Sequence, residues 1–252
     1  MDSAEDYAEQ RREVAAATRM LVDEGILNYS GHLSVRVGDG QTILIQPVDE
    51  PRAELRPDRV LTVNLDREII AGTGRPPSET AIHTEIYRAR PDVGAVAHFH
   101  HDPTTVFTVA GDQPIVPVKN HASRWLSGVP VHPDPSHISS TEQGQELAAT
   151  LGGCQAALLR SHGEVVVAEN IRTLFADVVH FVENANLLAR AMTLGKVHPL
   201  SADECASFQA TFKRQGHARK LWIYYTAVAA AAGRLPAELQ AAAASDTKNP
   251  EI

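Results

Sequence analysis

Ala95-Val96-Ala97-His98-Phe99-His100-His101-Asp102-Pro103 is the stretch on which the reading of this chain turns. Val93, Ala95, Ala97 and Phe99 alternate with Val96, His98 and His100, which is the period of a β-strand. Both histidines then stand on the same side of the strand, close enough to share one ion. Asp102 reads as a helix N-cap and Pro103 as the first helical residue, so the pair marks the point where a strand stops.

Upstream, Ser78 reads as the N-cap of a helix from Glu79 to about Arg90, which Pro91 stops. Glu79, Ile82, His83 and Ile86 share a face of it. Further back, Ala8 to Glu24 has helical spacing and ends at Gly25. Leu33, Val35 and Val37 alternate, and a Gly38-Asp39-Gly40 turn joins them to Thr42 through Gln46 as a hairpin. Val60 to Leu65 and Glu68 to Ile70 form a second strand pair.

Downstream, Ile115 to Val118 reads as a short strand. Lys119 to His137 is a long irregular segment rich in Pro, His and Gly, and such segments often carry function. Ser140 to Leu151 is helical. Ala156 to Leu159 and Glu164 to Ala168 are strands flanking Arg160-Ser161-His162-Gly163. Leu174, Val178, Phe181, Ala185, Leu188 and Met192 mark a long amphipathic helix. Two more helices follow, near Asp203 to Lys213 and Ala218 to Ala232. These elements predict one α/β domain over residues 1–235, with helices on both faces of a mixed or antiparallel sheet, and a flexible tail over 236–252.

Composition narrows the function. The chain has 252 residues, 43% hydrophobic and 21% charged, as expected for a soluble protein with a sizeable core. Its formal net charge of -8 argues against a nucleic-acid partner. No run approaches the ~20 apolar residues of a membrane span, and the N-terminus lacks a signal-peptide pattern. Two cysteines without metal or redox spacing suit a cytoplasmic protein. His162 is the third candidate ligand beside His98 and His100. It lies between apolar strands and before a glycine that permits a tight turn. Three histidines with open positions are the pattern of a catalytic metal site, and Glu79 stands as a fourth ligand or an acid/base.

The order Ser30-Gly31-x-Leu33-Ser34-Val35-Arg36, Ser78-Glu79, His98-x-His100 and Ser161-His162-Gly163 resembles the class II aldolase/adducin family across roughly residues 8 to 230. The resemblance implies an α/β/α domain with a mainly antiparallel sheet. It implies one divalent ion per chain (Zn2+, Mn2+, Co2+ or Fe2+) on His98, His100 and His162, with Glu79 catalytic, and a homotetramer. Sugar-phosphate aldolases of the family have Thr-x-Gly-Asn where this chain has Tyr29-Ser30-Gly31-His32, and Ser-Ser-Glu where it has Pro77-Ser78-Glu79. The replaced groups hold phosphate there. The chain looks more like the family's decarboxylases of hydroxylated aromatic dicarboxylates.

The expected function is therefore a metal-dependent carbon–carbon lyase, with decarboxylation of a dihydroxyphthalate-like substrate preferred. Alternatives are an aldolase on a non-phosphorylated hydroxy-acid or aldehyde, an iron-dependent oxygenase, and a non-catalytic adducin-like interaction module. Glu79 is the expected proton donor, directly or through water, with a pKa raised by burial beside the substrate's carboxylates, and His32 or His121 the alternative. Ser78, Lys119, His121 and Arg124 are the expected substrate-binding residues, the cations holding the second carboxylate.

Overall fold

The computed structural model describes residues 7–111 and 113–244. Helix α1, Ala8–Asp23, buries Val14, Ala17 and Leu21, the stripe its spacing predicts. Strands β1, His32–Val37, and β2, Thr42–Ile45, pair antiparallel across the glycine turn. β3, Leu61–Asn64, and β4, Ile69–Ala71, extend that half of the sheet. Helix α2, Thr80–Ala89, leads into β5, Ala95–Phe99, and then a single turn, α3, Asp102–Thr105. β6, Val131–His132, α4, Thr141–Leu151, β7, Ala156–Leu159, and β8, Gly163–Ala168, follow. The chain closes on α5, Ile171–Leu194, α6, Ala202–Thr211, α7, Arg214–Ala231, and α8, Ala237–Ala244.

The eight strands form one sheet in the order β4-β3-β2-β1-β5-β8-β7-β6. Every pairing is antiparallel except β6 with β7. The alternation read in β5 sends its side chains into two separate cores. Ala95, Ala97 and Phe99 pack among residues of α1 and α5. Val96 packs with Ile82 and Ile86 of α2 and Leu147 of α4 on the other face. Helices therefore cover both faces, as expected, and the central strands β5, β7 and β8 are wholly buried. No helix among the described residues is long and apolar enough to cross a membrane.

Four local expectations are corrected. Ile115 to Val118 is not a strand. Its backbone groups are taken outside the sheet: Val118 N–H donates to Asn184 Oδ1 at 2.9 Å, Asn184 Nδ2 donates to the Val116 carbonyl at 3.0 Å, and Leu200 N–H donates to the Pro117 carbonyl at 2.8 Å. At α2 the N-cap position falls on Glu79, not Ser78, and Thr80 Oγ1 donates to the Pro77 carbonyl. At α3 the cap position is His101, and Asp102 is already helical. The stretch expected to be a loose tail beyond Pro236 contributes α8, because Leu235 and Leu239 are apolar enough to dock into the core with α1; residues 245–252 lie outside the described residues.

Helices α2 and α4 touch most closely at Gly144. A Cβ there would lie 2.7 Å from the Ala81 carbonyl oxygen and 2.7 Å from Glu85 Cγ. Gly144→Ala should push α2 off α4 and lower stability by about 1–3 kcal/mol, the usual cost of overpacking. Thermal unfolding checks this; an unchanged or raised Tm would contradict the close approach.

Candidate metal centre

β5 and β8 run antiparallel with Phe99 opposite Glu164, so His98 and His100 at the end of β5 meet His162 at the start of β8. The approach is tight. A Cβ on residue 163 would stand 2.4 Å from the Phe99 carbonyl oxygen and 2.7 Å from His100 Cδ2, so only glycine fits after His162. Ser161, just before, takes a left-handed conformation with φ 56°, which turns the chain and aims His162 back over β5.

Ring orientation is set from behind. His98 Nδ1 donates to the Glu164 carbonyl at 3.0 Å, which turns its Nε2 into the cluster. His100 Nε2 lies 2.9 Å from that Nε2. Glu79 stands across from them, with its carboxylate 3.3 Å from His98 Nε2 and 3.4 Å from His162 Nε2. The Ile138 amide donates to Glu79 Oε1 at 3.0 Å and pins the carboxylate.

Burial opposes ionisation of Glu79, but contacts with His162 and His98 and the Ile138 amide outweigh it. The carboxyl is held well below the usual carboxylate range. His100 is pushed down to about 4 by burial and by its neighbours His98 and His162. An ionised carboxylate and neutral imidazoles are the states that ligate metals. The four candidate ligand atoms lie within 4.8 Å of one another. His98 Nε2 and His100 Nε2 face each other at 2.9 Å beside the Glu79 carboxylate, a spacing that one shared ion would bridge. The donor set fits one divalent ion of the Zn2+, Co2+, Mn2+ or Fe2+ kind.

His32, opposite His98 on β1, is buried with its ring 5.1 Å from that of His98. It starts a line of buried polar groups. His32 Nδ1 and His83 Nε2 are 2.6 Å apart, His83 Nδ1 and Ser34 Oγ 2.6 Å, and Ser34 Oγ and Tyr87 Oη 2.8 Å. His32 therefore buttresses the cluster from the side. His83 was visible as a helix-face neighbour of Glu79 at i+4, but its bonds to β1 were not. His137 is a further residue that sequence reasoning passed over. It is exposed at the mouth, 3.6 Å from Glu79 Oε2, with its ring stacked 6.1 Å from that of His162. Ser78 is exposed immediately before Glu79.

Within one chain Lys119, His121 and Arg124 lie away from this cluster. Arg124 Nε donates to Asp177 at 3.1 Å, and its guanidinium lies 3.7 Å from Glu169. Glu169 follows β8 and His162 precedes it, so at ~3.3 Å per residue about 20 Å of strand lie between them. Lys119 is paired with Glu183, and His121 stacks on His180 at 4.3 Å. Acidic residues of α5 claim these cations before a substrate could.

Residues 12–189 match the family described as Class II Aldolase and Adducin N-terminal domain. The 5-methylthioribulose-1-phosphate/5-deoxyribulose-1-phosphate aldolase of Rhodospirillum rubrum is 30% identical over 188 residues, 74% of this chain and 83% of that protein. The 3,4-dihydroxyphthalate decarboxylase of Rhodococcus jostii is 31% identical over 198 residues, 72% of this chain and 77% of its own. An aldolase II superfamily protein from Pseudomonas syringae shares the fold, with a TM-score of 0.79 at 21% identity over 91% of this chain and 95% of that one.

Replacing His98 and His100 together by alanine should remove the ion from this centre and abolish turnover, while the fold persists, since a core of this size needs no metal staple. Elemental analysis and circular dichroism of the double variant check this; an ion still bound by His162 and Glu79 with full occupancy would contradict it.

Proposed function

The chain belongs to the class II aldolase and adducin family, and from that premise we propose that it is a metal-dependent carbon–carbon lyase that decarboxylates a hydroxylated aromatic dicarboxylate. The observation that carries the lyase reading is the convergence of His98, His100, His162 and Glu79 on one point. The preference for a decarboxylase is supported by the Rhodococcus relative. It is supported also by what fills the positions that hold phosphate in sugar-phosphate aldolases of the family. His32 is buried against His83, and Pro77 is buried and offers neither hydroxyl nor N–H.

His98, His100 and His162 would hold the ion, with Glu79 as fourth partner. A divalent ion there supplies Lewis acidity toward a substrate oxygen. The chain's own residues do the rest. The Glu164 carbonyl and the Gly163 turn hold the imidazoles in place before substrate arrives, so no reorganisation is needed during reaction. When the carboxylate leaves as carbon dioxide, its bonding pair stays on the ring carbon and is shared with the adjacent phenolic oxygen. That carbon then needs one proton. Glu79, ionised, would orient a water at the mouth that delivers it, so carboxylate plus proton gives product plus carbon dioxide. His137 and Ser78, both exposed beside Glu79, would receive the second carboxylate, the role first expected of Lys119 and Arg124.

We place the enzyme in the cytoplasm as a homotetramer, in line with the resemblance. Exposed Leu187 and Leu194 on α5 and Tyr224 and Val228 on α7 give copies of the chain an apolar face to bury.

Glu79→Gln should cut kcat by about 10²–10⁴ and leave KM within a few-fold, whereas His137→Ala should mainly raise KM. Steady-state kinetics on a dihydroxyphthalate separate these; equal losses in kcat from both would count against the assigned roles. An anaerobic assay with a labelled carboxylate tests the reaction. Labelled carbon dioxide is expected; an aldehyde or ketone fragment would make the enzyme an aldolase, and dependence on oxygen an oxygenase. Phosphorylated sugars should not turn over, and rates on the order of 1–1000 per second with fuculose-phosphate would overturn the substrate class.

A further inference from the structure

At the other end of β8 a second group of histidines converges from three separate elements. His121 comes from the 3₁₀ turn Asn120–Trp125, His180 from α5 and His217 from α7. His180 Nε2 and His217 Nε2 are 2.9 Å apart, and one nitrogen from each of the three rings lies within 4.8 Å of the others. We propose that His121, His180 and His217 form a second transition-metal site, independent of the one on β5 and β8.

Three further observations support it. First, His180 is oriented from behind, its Nδ1 lying 3.5 Å from Glu183 Oε2. No hydrogen bond forms at that distance, but the negative charge beside Nδ1 favours the proton there and leaves Nε2 to ligate. Second, most nearby fixed charges are paired. Arg124 and Arg214 are tied to Asp177, Arg214 also to Glu169, and Lys119 to Glu183, while Lys220 also faces His217. Third, the rings line a cavity of about 260 Å³, shared with Ser123, Gln209 and Phe212. That leaves room for a water or small anion to complete the coordination.

His180 and His217 make the firm pair. His121 stacks on both, at 4.3 and 4.5 Å between ring centres, and closes the third corner by rotating about its side-chain bonds. Neutral imidazoles without an inward carboxylate select borderline ions such as Zn2+, Ni2+ or Co2+ over Mg2+ and Ca2+. Such an ion would clamp α7 to α5.

The test is metal stoichiometry by equilibrium dialysis against zinc alone, together with thermal unfolding. The wild-type protein should bind two zinc ions per chain, and His98→Ala/His100→Ala should keep one. His180→Ala/His217→Ala should also keep one, lose most of the zinc-dependent rise in Tm, and retain lyase activity. His217→Gln serves if the alanine pair does not fold. A wild-type stoichiometry of one would overturn the proposal, as would a second ion that survives replacement of His180 and His217. In the latter case the 2.9 Å contact is a shared proton and no more.

Discussion

Everything at the centre depends on the antiparallel pairing of β5 with β8. The register that sets Phe99 against Glu164 places three imidazoles at one end of two buried strands. A slip of one residue would turn His98 and His100 to the opposite face and leave His162 facing apolar side chains. Gly163 is what permits the register, since any Cβ there would strike the Phe99 carbonyl. The same pairing supplies the Glu164 carbonyl that fixes His98. Backbone geometry, packing and ligand orientation are therefore one constraint.

Assembling this cluster has an electrostatic cost. Glu79, His32, His83 and His98 are all buried, and burial alone would neutralise the carboxylate. It stays ionised because His162, His98 and the Ile138 amide surround it. The line from His32 through His83 and Ser34 to Tyr87 serves the same end by satisfying polar groups that would otherwise be stranded in the core behind the site. A divalent ion adds the charge that three facing imidazoles need, so the same groups that are expensive to bury become a site.

Much of this was legible in the sequence, because alternation and helical spacing are local. β5, the first hairpin, α5 and the His-Gly turn could be read from neighbours alone, and the family motifs joined His98, His100, His162 and Glu79. What could not be read was long-range. Ile115 to Val118 has a strand's composition, yet its backbone bonds go to Asn184, more than sixty residues on. Lys119 and Arg124 looked free in a loop, and only the fold shows Glu183 and Asp177 taking them. The surroundings of Glu79 were hidden for the same reason. Burial is visible in a helix face, whereas the histidines that outweigh it arrive from another strand.

The central claim is that the β5–β8 junction is a metal centre built by His98, His100 and His162. Anomalous diffraction from crystals of the metal-loaded protein, collected at the absorption edge of the ion, tests it most directly. The account predicts a peak at that junction ~2.0–2.3 Å from a ring nitrogen of each histidine, with Glu79 beside it. A fully loaded protein with no anomalous peak between β5 and β8 would contradict it.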